Sequence, residues 1–173
     1  MSVNNPFTGR LLAEVSNASS TDAEAAIQST VDAAAAMGAL PSHARYHVLQ
    51  KIAGGLYDRR EEFAHLMMAE SGKPIADAKR EASRAVQTFT VAAEEAKRIP
   101  GEVIPLDWTP GTDSHLCILR RVPICPVLGI TPFNFPLNLV CHKLGPALAA
   151  GNAVVLKPAG QTPVSSLKLA QVL

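Results

Sequence analysis

The sequence predicts an α/β fold with N-terminal helices, a protruding β-hairpin and the first β-α-β unit of a doubly wound parallel sheet. Three observations support this prediction. Apolar residues recur at helical spacing before residue 100, short extended runs follow in residues 101–122, and apolar strands alternate with helices in the last third. Because two parallel strands cannot bury both faces of such a sheet, we expect the chain to be the front part of a larger, truncated domain.

Four helices are expected before the hairpin. They are a first from Thr21 to Gly38, a second that follows Pro41, a third over residues 61–71 and a fourth over residues 75–99. A capping box of Thr21 and Glu24 favours the start of the first helix, and Gly38 and Gly72 favour the ends of the first and third. The positions expected to face the core are Leu49, Ile52, Ala53 and Leu56, then Phe63, Leu66 and Met67, then Ala78, Ala82, Ala85, Phe89, Ala92 and Ala96.

Residues 101–122 are interpreted as a β-hairpin. Extended runs over residues 102–106 and 115–121 flank a turn signal, Pro110-Gly111. The edge of such a hairpin needs protection, and pairing with another subunit is one of several ways to provide it. An ordinary surface hairpin stays an open alternative.

The last third is interpreted as a β-α-β-α series. Its elements are a strand over residues 126–131, a helix over 137–150, a strand over 153–157, and a helix with Thr162 as N-cap and Pro163 at its first position that continues to Leu173. The first strand is a continuous apolar run, so we expect it to be buried on both faces. The apolar face of the longer helix is Leu137, Val140, Cys141, Leu144 and Leu148.

Composition and charge are those of a packed globular domain. The chain has 173 residues, of which 47% are hydrophobic and 18% charged, and 16 basic residues against 15 acidic ones leave a net charge of +1. This balance supports neither a nucleic-acid footprint nor attraction to a membrane surface. We expect the partners to be small molecules or other subunits.

Residues 122–141 carry no charged side chain and are long enough to suggest a membrane span. The run is broken by Pro123, Pro126, Pro132, Pro136, Asn134 and Asn138. We therefore expect no transmembrane helix. Residues 1–10 lack a basic region followed by an apolar one, so no secretory signal is visible and a cytoplasmic location is expected.

The cysteines and histidines give no sign of a metal site. Cys117, Cys125 and Cys141 form no Cys-x-x-Cys pair and lie in apolar runs, which predicts reduced, unreactive thiols, with Cys141 packed on the inner face of its helix. His43 and His47 have a spacing that suits a metal, but no third ligand accompanies them. The expected metal content is none.

Asn134 is the most informative candidate for chemistry. It stands between Pro132 and Pro136, where a parallel strand is expected to open into a crevice before a helix begins. A rigid, uncharged amide at such a turn suits an oxyanion. The alternative is an asparagine that caps the following helix.

Three motifs lie close together in the last third: TPFNFPL at 131–137, HKLGPALAAGN at 142–152 and VVLKPA at 154–159. In this order and spacing they resemble the first part of the NAD(P)-dependent aldehyde dehydrogenase superfamily. The opening NPFTG at 5–9 is similar to an N-terminal turn of that family. The resemblance covers nearly the whole chain and implies an aldehyde dehydrogenase-like dinucleotide-binding domain.

The resemblance implies oxidation of an aldehyde to a carboxylic acid with NAD or NADP, through a cysteine thiohemiacetal. Residues 1–173 would be the N-terminal part of the cofactor-binding domain, residues 101–122 an oligomerisation hairpin, and the catalytic domain, with nucleophile and general base, would be absent. The complete protein would be a homo-oligomer with a small aldehyde as substrate, while this segment alone is expected to be inactive. The alternative is a truncated module that binds cofactor or subunits without chemistry.

The resemblance also implies roles for individual residues. Asn134 would donate to the oxyanion, and Lys143 would relay protons, although a solvated helix lysine is nearly as good an interpretation. The residues expected to contact the dinucleotide are Ile130, Thr131, Pro132, Phe133, Lys157, Pro158, Ala159 and Gly160. Phe135 and Leu139 would flank the substrate channel, although both also suit a plain core.

Three positions call for separate comment. Lys157 ends a strand that we expect to be buried, where an ammonium needs a partner such as the adenosine ribose. The alternative is a surface lysine that snorkels to solvent. Gly160 replaces a glutamate that many NAD-preferring relatives carry, so NADP is expected to be accepted. Phe133 replaces a frequent tryptophan, which leaves the pocket shape open.

Overall fold

The computed structural model describes residues 1–124 and 126–173. The elements in chain order are β1 (Ser2–Asn4), β2 (Leu11–Glu14), α1 (Ser20–Ala39), α2 (Ser42–Asp58), α3 (Arg60–Ser71), α4 (Ile75–Ala96), β3 (Glu102–Pro105), β4 (Leu116–Leu119), β5 (Val127–Ile130), α5 (Asn138–Ala149), β6 (Val154–Lys157) and α6 (Val164–Leu169). The α/β fold and all four early helices are therefore confirmed. The strand pair β1–β2 was not predicted.

The first helix begins with a capping box, but not the predicted one. The Ser19 hydroxyl accepts from the Asp22 amide at 3.2 Å, and the Asp22 carboxylate accepts from the Ser19 amide at 2.8 Å. Because Ser19 is the N-cap and Asp22 is the acid of the box, Thr21 lies inside the helix and Glu24 is not needed for capping. Gly38 is also helical, and α1 ends one residue later at Ala39, with Leu40 as its C-cap ahead of Pro41.

Helices α2, α3 and α4 pack on one another and on α5 around a single apolar core. The predicted core positions are buried, except that Leu66 is half-buried. The alanine stripe of α4 allows α5 to approach closely, since a Cβ built on Gly145 would lie 3.2 Å from the Ala92 Cβ. Helix α4 ends at Ala96 and not at residue 99.

Within the described residues the strands form three two-stranded sheets. The hairpin β3–β4 is antiparallel, as predicted, and β5–β6 is parallel with Val127 opposite Val154 and Ile130 opposite Lys157. The prediction that the first parallel strand is buried on both faces was wrong. Gly129 is buried beneath α5, but Leu128 and Ile130 on the other face are 62% and 59% exposed because no described element covers them.

The last helix also differs from its prediction. Pro163 is the N-cap of α6 and not its first residue, and the helix ends at Leu169 instead of continuing to Leu173. Among the helices of the described residues, none combines the length and apolarity that crossing a bilayer requires.

Candidate functional site

Residues 131–137 connect β5 to α5 and form a loop at the carboxyl edge of the parallel pair. Thr131 is buried and its amide extends the ladder to the Lys157 carbonyl at 3.3 Å. Asn134 is exposed at the tip of the loop, between Phe133 (54% exposed) and Phe135 (39% exposed). Its side-chain amide makes no hydrogen bond with the described part of the chain, so it does not cap α5 and stays available to a ligand.

The N-terminus of α5 is capped by a residue from another helix. Glu81 of α4 is almost fully buried, and its Oε1 accepts from the amides of Leu137 and Asn138, both at 3.0 Å. The sequence analysis missed this role. A charged residue inside the alanine stripe of α4 was the available signal, but its partners lie more than fifty residues away in sequence.

The N-terminus of α6 is capped in the same way. Glu70 of α3 accepts from the amides of Val164 at 2.9 Å and Ser165 at 3.1 Å. Burial raises the pKa of Glu70 above its usual value, against the opposing effect of these hydrogen bonds. The predicted capping residue, Thr162, instead directs its hydroxyl to the Phe133 carbonyl at 3.4 Å.

These two carboxylates bear on how a dinucleotide could bind. Helix N-termini at the carboxyl edge of a parallel sheet are the usual sites for phosphate groups. Here both sets of amides already bond Glu70 and Glu81, whose oxygens would repel a further anion. A pyrophosphate therefore does not fit either helix N-terminus.

The backbone of the loop is held from outside by three side chains. Lys73 Nζ donates to the Asn134 carbonyl at 3.0 Å, the Thr162 hydroxyl donates to the Phe133 carbonyl, and the Ser166 hydroxyl donates to the Pro136 carbonyl at 3.4 Å. Lys73 also pairs with Glu81. The shape of the loop around Asn134 is thus determined by residues of α6, its preceding turn, and the α3–α4 connection.

A cleft of about 520 Å³ opens beside Asn134. Its lining is Lys73, Asp77, Arg80, Glu81, Arg84, Asn134 and Phe135. Arg80 pairs with Asp77, whereas Arg84 makes no ion pair with the described residues and its guanidinium lies 5.8 Å from the centre of the Phe135 ring. The cleft therefore combines the free amide of Asn134 with a positive charge that has no carboxylate partner.

The predicted dinucleotide contacts fall in two groups: Thr131, Pro132 and Phe133 belong to the loop that carries Asn134, whereas the others lie at the ends of β5 and β6 or directly after β6. Ile130 and Lys157 are opposite each other in register and both are exposed, as are Pro132 and Gly160. Pro158 is half-buried and Ala159 is buried. Ile130 and Lys157 thus present an apolar side chain and an ammonium next to each other at the exposed ends of β5 and β6.

The premise that Lys157 ends a buried strand was wrong. Lys157 is exposed, and its ammonium donates at 3.3 Å to the carbonyl of Pro158, the next residue. Because solvent reaches it, the ammonium needs no buried partner. Its position at the carboxyl edge of the sheet, and not the burial of its charge, is what favours a role of Lys157 in cofactor binding.

Lys143 and Leu139 of α5 do not line the Asn134 cleft. Lys143 is exposed, and a Cβ built on Gly129 would lie 3.5 Å from the Lys143 Cβ, so its stem lies against strand β5. Leu139 is half-buried, with its amide bonded to the Phe135 carbonyl at 3.1 Å. Of the predicted catalytic and substrate residues, the structure brings only Asn134 and Phe135 together in the cleft.

Cys141 is fully buried, as predicted, and burial together with the nearby charge of Glu81 raises the pKa of its thiol. Cys117 is half-buried in β4, and Cys125 lies outside the described residues. His47 packs edge-on against Tyr46, with ring centres 5.2 Å apart. Within residues 1–124 and 126–173, no group of three His, Cys, Asp or Glu side chains could hold a metal ion.

Relatives of known identity agree with this architecture. A 3-sulfolactaldehyde dehydrogenase of Priestia megaterium is 47% identical over 173 residues, which is 100% of this chain and 36% of the relative. The crystal structure of aldehyde dehydrogenase 21 from Physcomitrella patens, in complex with the reaction product succinate, superposes with a TM-score of 0.97 at 45% identity, over 99% of this chain and 36% of that one.

A third similar protein is glyceraldehyde-3-phosphate dehydrogenase GapN from Methanocaldococcus jannaschii, solved with NADP. Its TM-score is 0.94 at 37% identity, over 99% of this chain and 36% of that one. The chain thus spans about a third of the length of the proteins it matches. The sequence profile of the Aldehyde dehydrogenase family matches residues 1–173. Given that match, the chain belongs to the aldehyde dehydrogenase family.

Proposed function

We propose that the full-length protein oxidises an aldehyde to a carboxylic acid, with NAD or NADP as the hydride acceptor. The observation that carries the proposal is the exposed Asn134 amide, which has no partner among the described residues, on a loop whose backbone is held from outside. An amide held in this way can donate to an oxygen that gains negative charge during the reaction, at no cost of reorganisation.

The proposed chemistry assigns the other steps to residues outside this chain. A cysteine thiolate adds to the aldehyde carbon, and the carbonyl oxygen, now negative, accepts from the Asn134 Nδ2. A bound nicotinamide would supply the hydride acceptor that converts the thiohemiacetal into a thioester. A glutamate outside this chain would activate the water that hydrolyses the thioester. Lys157 and Ile130 would hold the adenosine half of the dinucleotide.

Replacing Asn134 by alanine tests this function. In the full-length protein, Asn134→Ala should lower kcat by about 10² or more, because the oxyanion loses its donor, while the Kd of the cofactor stays nearly unchanged. Steady-state kinetics with propanal and fluorescence titration of the cofactor measure both. Asn17→Ala, an exposed asparagine outside the loop, is the matched control. A change confined to KM would exclude the oxyanion role, and a full-length protein without activity would favour the inactive module.

We further propose that the substrate is a short aldehyde that carries an acidic group. Arg84 lines the same cleft as Asn134 and has no carboxylate partner among the described residues, so it can bind an anion while the carbonyl meets the amide. The three similar proteins act, by their names or bound product, on sulfonated, carboxylated or phosphorylated compounds. The exposed Arg84 and these relatives support acidic aldehydes as the substrate class. They do not decide whether the acidic group is a sulfonate, a carboxylate or a phosphate.

An Arg84→Gln variant separates this proposal from plain aldehyde oxidation. The value of kcat/KM should fall about ten- to a hundredfold for 4-oxobutanoate and stay near wild type for butanal, because only the first has a charge to bind. Arg98→Gln, which removes an exposed arginine paired with Glu95, is the control. An equal loss for the two aldehydes would show that Arg84 has only a structural role.

The hairpin is proposed to pair with a second copy of the protein. Val103, Leu116 and Ile118 are each more than 60% exposed, a larger apolar surface than a free hairpin normally presents to water. The resemblance to the family favours the same role.

A further inference from the structure

The carbonyl of Asn134 is held by a lysine that lies 61 residues earlier in the chain. Lys73 Nζ donates to that carbonyl at 3.0 Å and to the Glu81 carboxylate, and only 14% of the Lys73 side chain is exposed. We propose that Lys73 is a positioning residue that sets the orientation of the Asn134 amide for the reaction. This inference rests on the proposed function of Asn134.

Lys73 is itself placed with little freedom. Gly72 ends α3 with φ of 72°, and Pro74 is the N-cap of α4, so Lys73 stands between two helix ends. A Cβ on Gly72 would lie 2.9 Å from the Pro6 Cγ, which shows how closely this connection is packed. The backbone of Lys73 is therefore held in place, and the two hydrogen bonds of its ammonium restrict the side chain as well.

Glu81 extends the constraint to the other side of Asn134. One carboxylate oxygen bonds Lys73 and the other bonds the amides of Leu137 and Asn138, where α5 begins. The lysine and the glutamate thus hold the loop at the carbonyl of Asn134 and again three and four residues later. The backbone carbonyl and the side chain of Asn134 belong to one residue, so a shift of this carbonyl also moves the side-chain amide. A misplacement of about 1 Å can lower a rate by about 10².

Lys73 lines the cleft, but its ammonium is already engaged by the protein. Its described hydrogen bonds go to protein oxygens, and its Nζ lies 4.8 Å from the centre of the Phe135 ring. A charge used in this way acts through Asn134 and should not contribute to substrate affinity. Its removal should therefore affect kcat more than KM.

A double-mutant cycle in the full-length enzyme tests the role. Lys73→Met should lower kcat about ten- to a hundredfold, with the cofactor KM unchanged, in the wild-type background. In the Asn134→Ala background the same substitution should change kcat by less than about twofold, because the group it positions is gone. Lys79→Met, which removes a more exposed lysine paired with Glu61, is the matched control.

Each outcome separates the two proposals. An equal loss of kcat in both backgrounds, or no loss in either, overturns the positioning role and leaves the function of Asn134 intact. An unchanged kcat for Asn134→Ala overturns the proposed function and the positioning role with it. If Lys73→Met does not fold, because it leaves Glu81 buried without its cation, the Lys73→Met/Glu81→Gln variant replaces it in the cycle. Lys73→Arg should recover most of the lost kcat.

Discussion

Gly160 is exposed and follows Lys157 by three residues at the carboxyl end of β6. An added Cβ would meet nothing closer than the Met1 Sδ at 4.0 Å, so the site can accept a side chain without strain. We expect Gly160→Glu to raise the ratio of kcat/KM for NAD over that for NADP by about tenfold or more. The new carboxylate would accept from a ribose hydroxyl and repel a 2′-phosphate.

The measurement is the pair of specificity constants in the full-length enzyme. Gly160→Gln provides a control of the same size that carries no charge, and it should shift the ratio much less. An unchanged ratio for the glutamate variant would mean that residue 160 does not face the ribose.

Residues at the junction of two elements can be located from the sequence, whereas residues that bond a distant part of the chain cannot. Asn134 could be located from its two prolines and the strand before it, and the burial of Cys141 from helical spacing. Lys73, Glu70 and Glu81 could not be assigned a role, since the backbone groups that they bond lie between 56 and 95 residues away. The exposure of Lys157 also escaped, because a strand's apolarity does not say whether anything covers its end.

Helices α5 and α6 depend on other helices for their N-terminal capping. Neither has a side-chain cap of its own, and each receives a buried carboxylate, Glu81 from α4 and Glu70 from α3. Periodicity predicted the helices themselves. Where the cap is local, as at Ser19 of α1, the predicted helix start differed from the observed one by a residue or two. Capping by a remote residue leaves no local trace, so Thr162 was a reasonable but wrong choice.

The pH dependence of stability tests the Glu70 cap. A carboxyl whose pKa is higher in the folded than in the unfolded state stabilises the fold most when protonated, below its ordinary value of 4.5. That contribution is lost as pH rises through the folded-state pKa. The stability of Glu70→Gln, which cannot ionise, should therefore improve relative to wild type as pH rises above 4.5 toward the folded-state pKa.

Urea unfolding of the full-length protein across this range measures the difference. Glu62→Gln is the comparison, because Arg59 lowers the pKa of Glu62 to about 2 and that carboxylate is already ionised throughout. Its difference from wild type should stay nearly flat above about pH 5. A flat difference for Glu70→Gln as well would show that burial does not perturb Glu70 in solution.

At the scale of the whole molecule, a helical core supports three small sheets that are each open on one side. Leu128 and Ile130 on β5 and the apolar side chains of the hairpin remain exposed, which fits an α/β domain of which this chain is the first part. The fold class and two of the described strand pairs, β3–β4 and β5–β6, could be predicted because they follow from periodicity and chain order, whereas the pair β1–β2 was missed. Burial of the sheet faces could not, since it depends on what lies against them.

The segment from β5 to α6 has the outline of a self-contained mononucleotide half, yet its two helices start on carboxylates that belong to α3 and α4. A chimera that grafted residues 126–173 onto a foreign scaffold would leave four backbone amides and the Asn134 carbonyl without their native partners. Recombination that preserves this segment would have to carry residues 70–81 with it. We therefore expect the helices before the hairpin and the β-α-β-α segment after it to be stable only together.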